Sequence, residues 1–140
     1  YLLDGKVILE VDVEKGLELY TRMCSLSVTA ESLAVLGLVL SNVVRHPETG
    51  DRLIDKYAFQ VAKTIMLTFG MYDGSGEFAV RVGIPSKSGV GGGILAVVEK
   101  RMGIGIYGPA LNEKGNSIGG SHVLEYLSKE LNLHMFAAEQ

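Results

Sequence analysis

Residues 83–93 read GIPSKSGVGGG, a proline, a lysine and two serines set among five glycines. A lysine, a hydroxyl and a backbone stripped of side chains, in that order, suit acyl transfer by a serine nucleophile. In such enzymes a K-T-G or K-S-G strand lines the site beside an S-x-x-K helix, whose serine attacks and whose lysine helps remove its proton. Lys87, Ser88 and Gly89 supply the triplet here. The glycines after it let the backbone approach a substrate closely and aim N–H groups at a developing oxyanion. The triplet alone is a weak signal, and its plain alternative is a glycine-rich hairpin.

Other chemistries fail on spacing. GIGIYG at 103–108 spells G-x-G-x-x-G, but a dinucleotide fingerprint opens a helix at once and here Pro109 follows. That stretch reads as a strand of small and large residues. A phosphate loop needs glycine directly before its Lys-Ser pair, where Ser86 stands. His46, His122 and His134 are far apart and read as surface or structural groups. Cys24 is the single cysteine, and no Cys/His spacing suits zinc, which favours a reducing compartment, the cytoplasm. At the end of an apolar stripe with no histidine near it in sequence, Cys24 reads as a small core hydrophobe rather than a nucleophile.

The elements that must position the triplet begin with helices. Val13, Leu17, Tyr20 and Cys24 recur at threes and fours over 12–23, which predicts one buried helical stripe. Thr29 suits the N-cap of a second helix, AESLAVLGLVLSN, apolar nearly all round and therefore expected at the centre of the core. RHPETGDR at 45–52 has the composition of a surface turn. A third helix starts from Asp55, carries Tyr57, Val61 and Ile65 on one face and stops near Gly70. The period then changes: EFAVRV alternates, GILAVVEK is a short β-branched run, and MGIGIYG alternates glycine with bulk, so 78–107 reads as antiparallel strands. GNSIGGSHVLEYLSKELNL predicts a capped last helix with Ile118, Val123, Leu124, Leu127 and Leu131 inward. Helices, then strands, then a helix argue for an α+β fold.

Composition narrows the classes of function. With 140 residues, 47% hydrophobic and 21% charged, the chain suits one domain with a real core. No apolar run nears the roughly 18 residues of a membrane span. A net charge of −3 with scattered basic residues argues against a nucleic-acid partner. The opening YLLDGKV, without methionine, reads as the end of an element already under way, so the chain is expected to be a fragment.

The stretch GMYDGSGEFAVRVGIPSKSGVGGGILAVV, preceded by LYTRMCSLSVTAESLA and followed by GNSIGGSHVLEYLSKELNL, resembles the C-terminal half of the serine-dependent glutaminases. The likeness runs from Tyr1 to Phe136, as part of one catalytic domain, and leaves residues 137–140 as a tail. It implies a β-lactamase-like fold and hydrolysis of L-glutamine to L-glutamate and ammonia through a serine acyl-enzyme. No metal or organic cofactor is implied, and a homo-oligomer is expected. The resemblance puts the tyrosine of GMY, a substrate contact and proton-transfer group, at Tyr72. It puts an oxyanion-hole amide at Val90 and a contact to the amino-acid end of the substrate at Tyr20.

Residue chemistry agrees in part. A phenol keeps its proton at neutral pH, so Tyr72 relays one only beside a lysine or a positive dipole. Val90 would act through its main-chain N–H, which any residue except proline carries. Tyr20 lies on the apolar stripe of its helix and reads, without the resemblance, as core. Two departures stand out: Ser86 where alanine is usual, expected to be harmless, and LSNVV at 40–44 for a commoner LANGG, expected to alter a surface loop. No serine or threonine has lysine three residues later, so the S-x-x-K segment is absent and the chain is expected to be inert alone. Another acyl-transfer hydrolase of the same fold, or a non-catalytic module, are the alternatives.

Overall fold

Glycines at alternate positions of one strand decide how this molecule packs. In the computed structural model, which describes residues 12–41, 45–46, 48–51 and 53–138, Met102–Tyr107 pairs antiparallel with Gly93–Val98, and the latter pairs with Ser86–Ser88. These strands are β1 (Ser86–Ser88), β2 (Gly93–Val98) and β3 (Met102–Tyr107), in spatial order β1-β2-β3. A helix, α2 (Ala30–Ser41), lies across β2 and β3. A Cβ at Gly105 would stand 1.9 Å from the Ala30 carbonyl oxygen, and one at Gly103 would stand 2.1 Å from the Leu38 nitrogen. Only glycine allows helix and strand backbones to meet so closely. The G-x-G-x-x-G spelling is thus the imprint of a helix on a strand.

Period-2 alternation divides the core. Ile94, Ala96 and Val98 of β2 face a cluster with Met71, Val82, Ile84, Leu124 and Leu133, joined by Ile104 and Ile106 of β3. Leu95 and Val97 face the other way, onto Leu40, Phe59 and Met66. The sheet therefore has α2 and α3 (Lys56–Phe69) on one face and α5 (Ile118–Glu130) on the other, with α1 (Val13–Cys24) at the start of the described chain. This is the expected α+β architecture with a small antiparallel sheet.

Several helix ends follow the sequence reading. The Ser32 N–H donates to the Thr29 hydroxyl at 3.0 Å, the Asp55 carboxylate accepts from the Tyr57 and Ala58 amides, and Ser117 caps α5 through the Gly120 N–H. The turn over 45–51 closes through the His46 N–H to the Asp51 oxygen at 2.7 Å. Residues 42–44 of the LSNVV stretch lie outside the described residues.

Four expectations need correction. EFAVRV is no strand: Ser75–Arg81 forms a short helix, α4. Six residues carry both periods. Here Phe78 and Val82 turn inward four apart while Val80 faces solvent, and Glu77 pairs with Arg81 one turn on. The stripe of α1 is not buried, since none of its residues is, and Cys24 is exposed rather than core. Among the described residues no layer covers that face. On α3 the buried side chains are Phe59 and Met66, whereas Tyr57 and Ile65 are exposed; on α5 Leu124 is buried but Ile118, Val123 and Leu131 are not. Finally, α2 is central on one face only, with Val35 and Leu36 exposed on the other.

Candidate active site

Gly70 ends α3 and its carbonyl accepts the Ser88 N–H at 2.9 Å, which fastens β1 beside the GMY stretch. Met71 is buried, and Tyr72 then enters the left-handed region with φ of 51°. For a tyrosine that conformation costs on the order of 1–3 kcal/mol, and it persists only where neighbours enforce it. Two buried side chains do so here. The Ser75 hydroxyl accepts the Met71 N–H at 3.0 Å and donates to the Tyr72 carbonyl at 2.7 Å, while the Asn116 amide donates to the Met71 carbonyl at 3.0 Å.

The result is a cluster around the Ser88 carbonyl. The Tyr72 hydroxyl donates to it at 3.4 Å and the Lys87 ammonium donates to it as well. That ammonium also lies 4.6 Å from the centre of the Tyr72 ring, within cation–π range. Lys87 thus supplies the neighbouring positive charge that a phenol needs to act as a proton relay. Gly89, next in the triplet, turns the chain: its N–H donates to the Gly93 oxygen and its carbonyl accepts the Gly92 N–H, both at 2.9 Å. Gly92, with φ of 95°, passes so near Gly108 that a Cβ would stand 2.5 Å from its oxygen.

Val90 sits at the tip of this turn, 71% exposed, and its N–H makes no hydrogen bond among the described residues. An amide left open beside Lys87 and Tyr72 is what an oxyanion hole requires. Gly115 closes the group. A Cβ there would meet the Tyr72 ring at 3.6 Å and the Val90 Cγ1 at 3.8 Å, so both side chains lie against it. The 112–116 loop that carries Gly115 is held by the Asn112 carboxamide, which accepts the Lys114 and Asn116 N–H groups at 3.0 Å each.

Five of the six expected residues, Tyr72, Lys87, Ser88, Gly89 and Val90, therefore meet in one place. Tyr20 does not join them. It is 65% exposed on α1, which buries none of its residues, and makes no hydrogen bond to that group among the described residues. Its phenol is held above the ordinary value by hydrogen bonding with the Cys24 thiol one turn on and then by the charge of that thiol. Ser86 points the other way, buried, its hydroxyl donating to the Ile84 carbonyl at 2.9 Å. Two buried atoms remain without a partner among the described residues, the Ser88 hydroxyl and the Asn116 carboxamide oxygen.

Residues 1–136 match the sequence model of the glutaminase family. The chain belongs to that family. It is 54% identical over 136 residues to a glutaminase of Clostridium tetani and 52% identical to one of Clostridium botulinum, covering 97% of this chain in each case. Those matches cover only 44% and 45% of the two relatives, so the chain spans somewhat under half the length of the glutaminases it matches. Among solved structures, the covalent complex of the Bacillus subtilis glutaminase YbgJ with 5-oxo-L-norleucine superposes with a TM-score of 0.90 at 42% identity, over 97% of this chain and 49% of that one. The structure named Mglu superposes at 0.75 and 39% identity, over 81% and 28%. Sequence reading does not place Ser75, Gly115 and Asn116 at the site. The signal available for the last two was an N-x-x-G-N spacing, where asparagine and glycine favour a tight polar turn.

Proposed function

We propose that this chain is the C-terminal part, residues 1–136, of one glutaminase catalytic domain, and that the whole enzyme hydrolyses L-glutamine to L-glutamate and ammonia. The observation that carries this reading is the open Val90 N–H beside a tyrosine and a lysine that share the Ser88 carbonyl. A serine from an S-x-x-K segment outside these 140 residues attacks the side-chain amide carbon of glutamine. The Val90 N–H receives the negative charge that builds on the carbonyl oxygen. Tyr72, beside Lys87, passes a proton to the departing nitrogen, the C–N bond breaks, and ammonia leaves an acyl-enzyme that water then hydrolyses. Tyr20, exposed on a helix with no cover among the described residues, contacts the amino-acid end of the substrate. No helix among the described residues is long and apolar enough to cross a membrane. The enzyme works as a cytoplasmic homo-oligomer in this reading, which rests on the family alone, and residues 137–140 are a tail.

Ammonia release from L-glutamine, measured side by side for this chain and for its full-length parent, tests the proposal. Turnover by the parent alone is expected. Turnover by the chain would place a nucleophile within it and refute the division of the site, and silence from both would refute the glutaminase activity.

A further inference from the structure

Tyr72 occupies a backbone conformation that tyrosine rarely adopts, with φ of 51°, and the residues that impose it form a closed set. Three backbone polar atoms next to Tyr72 are held by side chains: the Met71 N–H, the Met71 carbonyl and the Tyr72 carbonyl. Ser75 takes the first and the last, and Asn116 takes the second. Both partners are almost wholly buried, at 4% and 3% exposure. Asn116 comes from a separate segment whose own loop is braced by Asn112 and whose neighbour Gly115 packs on the Tyr72 ring.

We propose that Asn116 and Ser75 are positioning residues: they hold the backbone of Tyr72 in its left-handed conformation and so aim its hydroxyl at the Ser88 carbonyl beside Lys87. The inference rests on the glutaminase reading for its catalytic consequence. Neither side chain makes a hydrogen bond to the Tyr72 hydroxyl, the Lys87 ammonium or the Val90 N–H among the described residues; both act on the backbone of Met71 and Tyr72. Ser75 reaches it from within the same stretch, four residues from Met71, while Asn116 reaches it across the fold. The carboxamide oxygen of Asn116 is unpartnered among the described residues, so a single donor bond, to Met71, is what this buried amide contributes. Without that bond the Met71 carbonyl keeps only the Gly74 N–H, at 3.0 Å and from within the same turn, so Tyr72 relaxes toward a commoner conformation and its ring swings off Gly115 and Lys87.

Two measurements test this, one of them independent of activity. In the full-length enzyme, N116A and S75A are expected to lower kcat about tenfold or more, since a misplaced reacting group costs up to about 10²-fold. KM should stay within about threefold. In a Y72F background the same N116A change should cost less than about twofold, because its effect runs through the tyrosine. An equal loss in both backgrounds, or an unchanged kcat, would overturn the inference. In this chain, the ring of Tyr72 should shift the NMR signals of the Lys87 side chain, a shift abolished by Y72F. N116A and S75A should abolish it too in a folded chain. If it survives in both, the positioning role is wrong whatever the turnover. Silence of the unaltered enzyme toward glutamine would refute the glutaminase reading and leave the Lys87 signals to decide the positioning role.

Discussion

The Tyr72 hydroxyl and the Lys87 ammonium converge on one acceptor, the carbonyl oxygen of Ser88. Each donor comes from a different element, the lysine from β1 and the tyrosine from the turn after α3, and the Gly70–Ser88 backbone bond fixes their separation. A phenol and an ammonium held at one oxygen form a short route for a proton. Y72F in the full-length enzyme is therefore expected to lower kcat by about 10²-fold or more, the usual range for loss of a general acid–base group. Ammonia release with saturating glutamine measures it, and a loss below about threefold would remove Tyr72 from the proton path.

The oxyanion role proposed for Val90 belongs to its backbone. V90P deletes the N–H and is expected to cost about 10²- to 10³-fold in kcat, whereas V90A keeps the donor and should retain at least about ten times the turnover of V90P. Steady-state kinetics on the two variants, with circular dichroism to compare their folding, decides the point. Equal losses would mean that the exposed side chain, not the amide, matters.

The seam between α2 and β3 gives a prediction about stability. G105A forces a methyl group into the Ala30 carbonyl, a backbone atom that cannot step aside. Overpacking of this kind costs about 3 kcal/mol, toward the upper end of the usual range. G119A is the control, since nothing lies within 4 Å of its added Cβ. The urea midpoints of the two variants should differ widely.

Acid should loosen the α4–α5 surface. Glu77 is held below its ordinary value of 4.5 by hydrogen bonds from Lys114 and Arg81, and Glu125 by those from Lys129 and Arg81. A carboxylate depressed in the folded state contributes stability that is present above about 4.5 and lost as pH falls through the lower folded value. Urea midpoints taken downward from pH 4.5 should fall less steeply for E77Q/E125Q than for the unaltered chain. Parallel curves would show that these ion pairs contribute nothing measurable.

At Tyr20 the direction is opposite. The Cys24 thiol raises the phenol above 10.0, so the neutral ring persists to higher pH, and C24A should let it ionise earlier. The ultraviolet phenolate signal lost in Y20F isolates that residue. In the full-length enzyme C24A should leave turnover largely intact, and a large loss of kcat with folding preserved would make the thiol part of the chemistry.

Much of this was legible in residue types, and the limits were physical. Caps at Thr29 and Asp55 are local events within a few residues, so sequence alone located them, and it read the last helix as capped without singling out Ser117. Strands β2 and β3 were long enough for their period to show. EFAVRV is as long as either strand but fits both periods, and the choice between strand and helix fell to the Glu77–Arg81 pair and to the inward turn of Phe78 and Val82. The faces of α1, α3 and α5 were misjudged because periodicity finds an apolar stripe but not what covers it. At the site, the Lys-Ser-Gly triplet was visible as chemistry, while Tyr72 and Val90 came from family resemblance. Asn116 was hidden because its partner, the Met71 carbonyl, lies far away in sequence and belongs to the backbone, which leaves no trace in side-chain type.

The seam that Gly103 and Gly105 make with α2 also bears on how the chain folds. It joins α2 to β3 across the intervening α3, α4, β1 and β2, so it is a long-range pairing in the chain. Distant pairings of this kind form late. Until the sheet forms, α2, the most apolar of the described helices, has no surface to lie on. The glycines that make the finished contact so close thus make the apolar face of α2 depend for its cover on a strand about sixty residues or more away in sequence.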